Sequence, residues 1–195
     1  MNNEFLISPK PEDPRLSQRV EGVDHKGEPI VTSVCIDRPL TLFLNGQEIV
    51  TMMTIGDYPK YLALGYLLNQ NMLHDDDRNT SIDHDPEIDC VVVRTAMKTT
   101  FEEKLKKKTL TSGCAQGTVF GDVMEKFDTL SLPKDRIIKT SWLASLVKQI
   151  NTAPSLYQEA GAIHGCVLAK EDQLLLYMED VGRHNAVDKL LGARL

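Results

Sequence analysis

The chain has no Cys-x-x-Cys pair. Its four cysteines stand apart at 35, 90, 114 and 166, a spacing that argues against both a zinc knuckle and a dense disulfide framework. It also lacks any apolar run near the ~20 residues that a membrane-spanning helix needs. Met1 to Lys10 do not follow the basic-then-apolar order of a secretory signal. A cytoplasmic location, away from membranes, is the expectation. Excess positive charge is missing too: 22 Lys and Arg against 28 Asp and Glu leave a net charge of -6. That balance does not favour a general electrostatic grip on nucleic acid, so any nucleotide contact is expected to be local. There is no internal repeat. What is present is 195 residues at 42% hydrophobic content, enough for one good-sized core or a main domain carrying a smaller lobe.

Pro9, Pro11 and Pro14 among polar neighbours predict a loosely attached leader over residues 1–15, with order beginning near Leu16. Pro29 to Ile36 and Leu40 to Thr54 are rich in β-branched and apolar residues, and Asn45-Gly46 between two such runs is a two-residue hairpin signal. Asp57 is placed to cap a helix that opens at Pro59 and runs to about Leu73, with Tyr61, Leu64, Gly65, Leu68 and Met72 on one side. The acidic stretch from His74 to Pro86 holds ligand-type residues but reads as a solvated loop. Glu87 to Thr95 predicts a buried strand, and the basic run Lys104 to Lys108 reads as surface solvation. Cys35 and Cys90 sit in apolar runs, where a thiol acts as a small buried hydrophobe. Val119, Phe120, Val123, Met124 and Phe127 repeat with helical period behind Thr118 as a cap. A further helix, capped by Ser141, is expected to bury Trp142, Leu143, Leu146, Val147 and Ile150. Ala162 to Leu168 and Leu174 to Met178 predict neighbouring strands, and a helix starts near Gly182 with Ala186, Val187, Leu190 and Leu191 on one face. The order is mixed α/β.

Reactive residue types meet glycines in three places. Thr111-Ser112-Gly113-Cys114-Ala115-Gln116-Gly117 brackets a single thiol. If a helix follows, the positive end of its dipole stabilises the thiolate, which makes Cys114 the best nucleophile candidate in the chain. Glu159-Ala160-Gly161-Ala162-Ile163-His164-Gly165-Cys166 brings a glycine-flanked histidine into a strand, a pattern that by itself is more often structural than functional. Glu179-Asp180-Val181-Gly182-Arg183-His184-Asn185-Ala186-Val187-Asp188-Lys189 gathers ionisable and amide groups at a strand-to-helix turn. Strand ends and helix starts of α/β proteins are where phosphates and nucleotides bind. Arg183 offers a planar fork for phosphate or a guanine edge, and Asp180 and Asn185 suit base or ribose groups. The plainer reading is a salt-bridged helix in which His184 faces Asp188. The density of Arg, His and Asn in one first turn favours a ligand site.

The stretch from Glu179 to Lys189 resembles the signature of the formate dehydrogenase accessory sulfurtransferase family (FdhD/NarQ-like). Gly161 with His164, Gly113-Cys114 and the run Leu62 to Leu68 are similar to other family segments in the same order. The likeness covers most of the chain from about Val20. It implies a sulfur relay in which a cysteine desulfurase hands sulfur to Cys114. The sulfur then passes as a persulfide to the molybdenum bis(guanine dinucleotide) cofactor of formate dehydrogenase, bound as substrate. Gly161, His164, Asp180, Gly182, Arg183, His184 and Asn185 would hold that cofactor. The resemblance further implies a homodimer and no permanent metal. It implies a cytidine-deaminase-like main domain with a smaller β-rich N-terminal lobe. Residues 16–110 would form the lobe and the start of the core. Residues 111–195 would form the cysteine loop and deaminase-like core, without the family's C-terminal segment. Gly117 stands where many members have a second loop cysteine, and Ala160-Gly161-Ala162 stands where the family favours Thr-Gly-Gly.

Two rival functions follow from the same residues. One is a non-catalytic chaperone that shelters the molybdenum cofactor during handover, with Cys114 incidental. The other is a relic deaminase-like hydrolase. The sequence has neither the His-x-Glu nor the Pro-Cys-x-x-Cys element of a zinc deaminase, which weighs against the second.

Overall fold

A computed structural model describes residues 7–73, 80–96, 108–110, 118–120 and 130–194. In chain order, β1 (Ser17–Val23) pairs antiparallel with β2 (Pro29–Cys35) as a largely exposed hairpin. Next come β3 (Arg38–Leu44) and β4 (Gln47–Thr54), joined at Asn45 and Gly46, both with positive φ (50° and 83°). Two successive left-handed residues are what a twist-matched two-residue turn demands, and Asn-Gly meets that demand at little steric cost.

Strict alternation puts Leu40, Leu42 and Leu44 on one face of β3, and all three are buried. Helix α1 (Pro59–Asn69) lies on that face through Leu62, Ala63, Tyr66 and Leu67, completing a core with Met52, Val91 and Val93. The helix also serves as crossover, since β6 (Cys90–Arg94) returns parallel to β3. An edge strand, β5 (Ser81–Asp85), pairs antiparallel with β6 and gives the sheet order β4-β3-β6-β5. Two short strands, β7 (Lys108–Leu110) and β8 (Thr118–Phe120), pair antiparallel with each other.

The remaining chain forms α2 (Thr140–Thr152), the short α3 (Leu156–Ala160), the antiparallel pair β9 (His164–Lys170) and β10 (Gln173–Asp180), and α4 (Arg183–Ala193). Helix α4 packs on β9 and β10 and, most extensively, on α1. The two helices meet backbone to backbone. A Cβ at Gly65 would fall 1.7 Å from the Asp188 carbonyl oxygen, and one at Gly192 would fall 2.0 Å from that of Tyr61. Only glycine permits so close an approach. The expected division between residues 16–110 and 111–195 is bridged by this contact. No helix among the described residues is long and apolar enough to cross a membrane.

Several local expectations are corrected. The leader is tied down from Ile7 onward: the Tyr177 amide donates to Ile7 O at 3.0 Å, and the Tyr58 hydroxyl donates to Ser8 O at 2.8 Å. Ser17–Val23, which has no clear apolar pattern, becomes a strand because β2 supplies its partner register. Helix α1 stops at Asn69 rather than Leu73, and Asp57 does not cap it; Tyr58 occupies that position in a left-handed conformation. Part of the acidic stretch is β5, recruited as an edge by β6. Thr118 begins a strand instead of capping a helix. Helix α2 starts one residue before Ser141, and its apolar face is not buried: Leu143 and Val147 are exposed.

Candidate functional site

The antiparallel register of β9 and β10 sets His164 opposite Asp180 and Gly165 opposite Glu179. The second and third clusters of the sequence thereby become neighbours. Before β9, Ser155 caps α3 by accepting from the Gln158 amide at 3.3 Å, and the chain turns at Gly161 with φ 64°. Gly165 leaves room for the Tyr177 ring, which an added Cβ would meet at 2.9 Å. His164 is exposed at this end of the hairpin.

Strand β10 finishes with two carboxylates fully removed from solvent, Glu179 and Asp180. Such groups are tolerated only when hydrogen-bonded. Glu179 accepts from the amides of Leu156 (2.8 Å) and Tyr157 (3.1 Å) and from the Tyr177 hydroxyl (3.4 Å). Burial still pushes its carboxyl above the usual range, against the opposing effect of those amides. Asp180 is held on both oxygens. One accepts from the Thr54 hydroxyl and pairs with the Lys189 ammonium, each at 2.6 Å. The other accepts from the Gly182 amide at 3.2 Å and the Asn185 side chain at 3.1 Å. Asn185 also donates to Met53 O at 2.8 Å, and a Cβ at Gly182 would come within 3.0 Å of its amide group.

Lys189 is fully buried and bridges the Asp57 and Asp180 carboxylates while donating to Glu179 O. Burial raises Asp57 above an ordinary aspartate, with the lysine opposing the shift. Beside this group, Asp188 accepts from Asn69 at 2.5 Å, and burial pushes its carboxyl up to about 7.

On this scaffold stands the exposed part of the cluster. Arg183 and His184 point outward from the first turn of α4, and Gly182 is half-buried beside them. Among the described residues no side chain caps that helix, and uncapped first-turn N–H groups are of the kind that attract anions. The structure therefore splits the expected cofactor-binding residues. His164, Arg183 and His184 face solvent and Gly161 and Gly182 shape the backbone, whereas Asp180 and Asn185 are committed to internal bonds and position the turn. His184 is not paired with Asp188, which turns inward to Asn69. Among the described residues no group of His, Cys, Asp and Glu has the arrangement of a metal site.

Cys114 lies outside the described residues. The described residues on either side of its segment are the paired strands β7 and β8. The three described cysteines all have thiols raised by burial. For Cys35, Glu179 and Glu159 add to the effect. Cys35 is half-buried rather than buried, and its thiol reaches Gly161 O at 3.6 Å. Sequence reasoning missed this neighbour, along with Asp57, Glu179 and Lys189 as scaffold. The one available signal was the unusual density of charge around a predicted buried strand end.

The site is thus a strand-to-helix turn of a mixed α/β fold that displays an exposed arginine and histidine. The chain belongs to the FdhD/NarQ family, whose pattern matches residues 35–195. It is 29% identical over 161 residues to the sulfur carrier protein FdhD of Wolinella succinogenes, a match covering 80% of this chain and 55% of the relative. It is 29% identical over 156 residues to the protein of the same name from Bacillus subtilis, covering 79% and 59% respectively. The chain thus spans little more than half the length of these relatives. A crystal structure described as a candidate formate dehydrogenase accessory protein of Desulfotalea psychrophila shares the fold. Its TM-score is 0.66 at 22% identity, over 91% of this chain and 67% of that one.

Proposed function

We propose that this protein is a sulfurtransferase of formate dehydrogenase maturation, with Cys114 as the carrier. In the first step the Cys114 thiolate attacks the outer sulfur of a cysteine desulfurase persulfide. The sulfur–sulfur bond breaks, the desulfurase cysteine leaves as thiolate, and Cys114 becomes the persulfide. That sulfur is then delivered to the molybdenum bis(guanine dinucleotide) cofactor, the substrate destined for formate dehydrogenase. Arg183 binds phosphate or guanine, and His184, His164 and the first-turn amides of α4 complete the contact. Asp180 and Asn185 hold the turn. The reading carries with it a cytoplasmic homodimer and a deaminase-like core, the latter supported by the mixed sheet in which β3 and β6 run parallel across α1.

The observation that carries the proposal is the match of residues 35–195 to a family whose relatives are named sulfur carriers. The exposed Arg183–His184 turn supports it. Raised thiols at Cys35, Cys90 and Cys166 make these three poor nucleophiles at neutral pH and favour Cys114. Incubation with a cysteine desulfurase and cysteine should add one sulfur, located on Cys114 by mass spectrometry and absent from Cys114→Ala. Undiminished labelling of that variant would overturn the assignment. Cofactor binding without any sulfur uptake would leave the sheltering chaperone as the function.

A further inference from the structure

Lys189 has three N–H donors, and the structure gives it three acceptors: Asp57, Asp180 and the carbonyl of Glu179. The ammonium is fully buried and saturated, with nothing left to offer a ligand. Its partners lie on three pieces of chain that end at the same place. Asp57 precedes α1, Glu179 and Asp180 close β10, and Lys189 itself sits in the second turn of α4. Asp180 then passes the constraint outward, because its second oxygen fixes the Gly182 amide and Asn185. Residues Arg183 and His184 follow directly. A buried carboxylate with four donors has one orientation available to it, and a lysine clamped by two carboxylates determines which.

We propose that Lys189, clamped by Asp57, is a positioning residue that presets the Gly182–His184 turn for its anionic ligand. The ligand in this statement rests on the function proposed above; the positioning does not. Binding energy is lost when a recognition loop must be ordered at the moment of contact, so a preset turn raises affinity without touching the ligand.

The test uses the full chain and two measurements: amide hydrogen exchange without ligand, and the dissociation constant for guanosine diphosphate as probe. Lys189→Met should speed exchange across residues 180–186 at least tenfold while the β3–β4 hairpin keeps its protection, and should raise the dissociation constant at least tenfold. Asp57→Asn preserves shape and removes one of the two anions, so it should give the same local pattern at about threefold even if Lys189→Met does not fold. Arg183→Ala should weaken the probe yet leave exchange at 180–186 within about twofold. Uniform acceleration over the whole molecule, or unchanged exchange at 180–186 in both variants, would overturn the positioning role. Failure of the unaltered chain to bind the probe, with the exchange pattern intact, would remove the guanine ligand and keep the positioning.

Discussion

Helix α2 repeats apolar residues at helical spacing and buries none of them, whereas α4, with fewer apolar groups, buries six of its eleven residues. Three of those six are Asn185, Asp188 and Lys189. The difference lies in the partners. Each of these three buried polar side chains meets a complementary group on α1, β4 or β10, and Gly192 lets the helix close on Tyr61. Helix α2 has apolar residues in register but, among the described residues, little opposite them. Burial here follows the supply of matched partners, with the apolar stripe as only one form of match.

Breaking the α1–α4 contact should have the largest effect. Gly65→Ala would drive a Cβ into the Asp188 carbonyl, and the helices must separate. A loss of about 3 kcal/mol is expected from overpacking of this kind. Chemical denaturation would show it as a lowered midpoint, and an unchanged midpoint would mean that the helices do not touch as described.

Asp188 gives a pH-dependent version of the same contrast. In the folded protein it keeps its proton up to about pH 7, while its unfolded counterpart releases it near 3.8. The folded state therefore binds more protons between those values, and stability should fall as pH rises from about 4 to about 7, then level off. Asp188→Asn can still accept from Asn69 and should flatten that decline. Denaturation midpoints measured across the interval would decide, and parallel curves for the two proteins would contradict the buried acid.

The smallest effect belongs to α2. Leu143→Ser changes an exposed residue and should move stability by no more than about 0.5 kcal/mol. A larger loss would place a partner on that face and erase the contrast.

Local chemistry was legible where it needed no distant partner. Asn45-Gly46 announced its hairpin, Pro59 the start of α1, and the alternation in Leu40–Leu44 its buried face. Elements recruited by others were not. Ser17–Val23 and Ser81–Asp85 are strands because neighbouring strands accept them, and Thr118 pairs with Leu110 instead of opening a helix. In the candidate site, the strand-to-helix turn and its exposed arginine and histidine could be read directly. The inward commitment of Asp180 and Asn185 could not, since it depends on Thr54, Met53 and Lys189, brought together only by the tertiary fold.

The seat of α1 against α4 also sets an order in time. Gly65 leaves the ribosome well before Asp188, and Ile7 before nearly all the chain that separates it from Tyr177. At usual elongation rates that wait is on the order of ten seconds. During it the first helix can settle on its sheet, but its glycine side has no cover and the amino-terminal segment has no strand to join. The nascent protein thus carries an unfinished flank until α4 is made, and it is that flank which a folding helper would meet first.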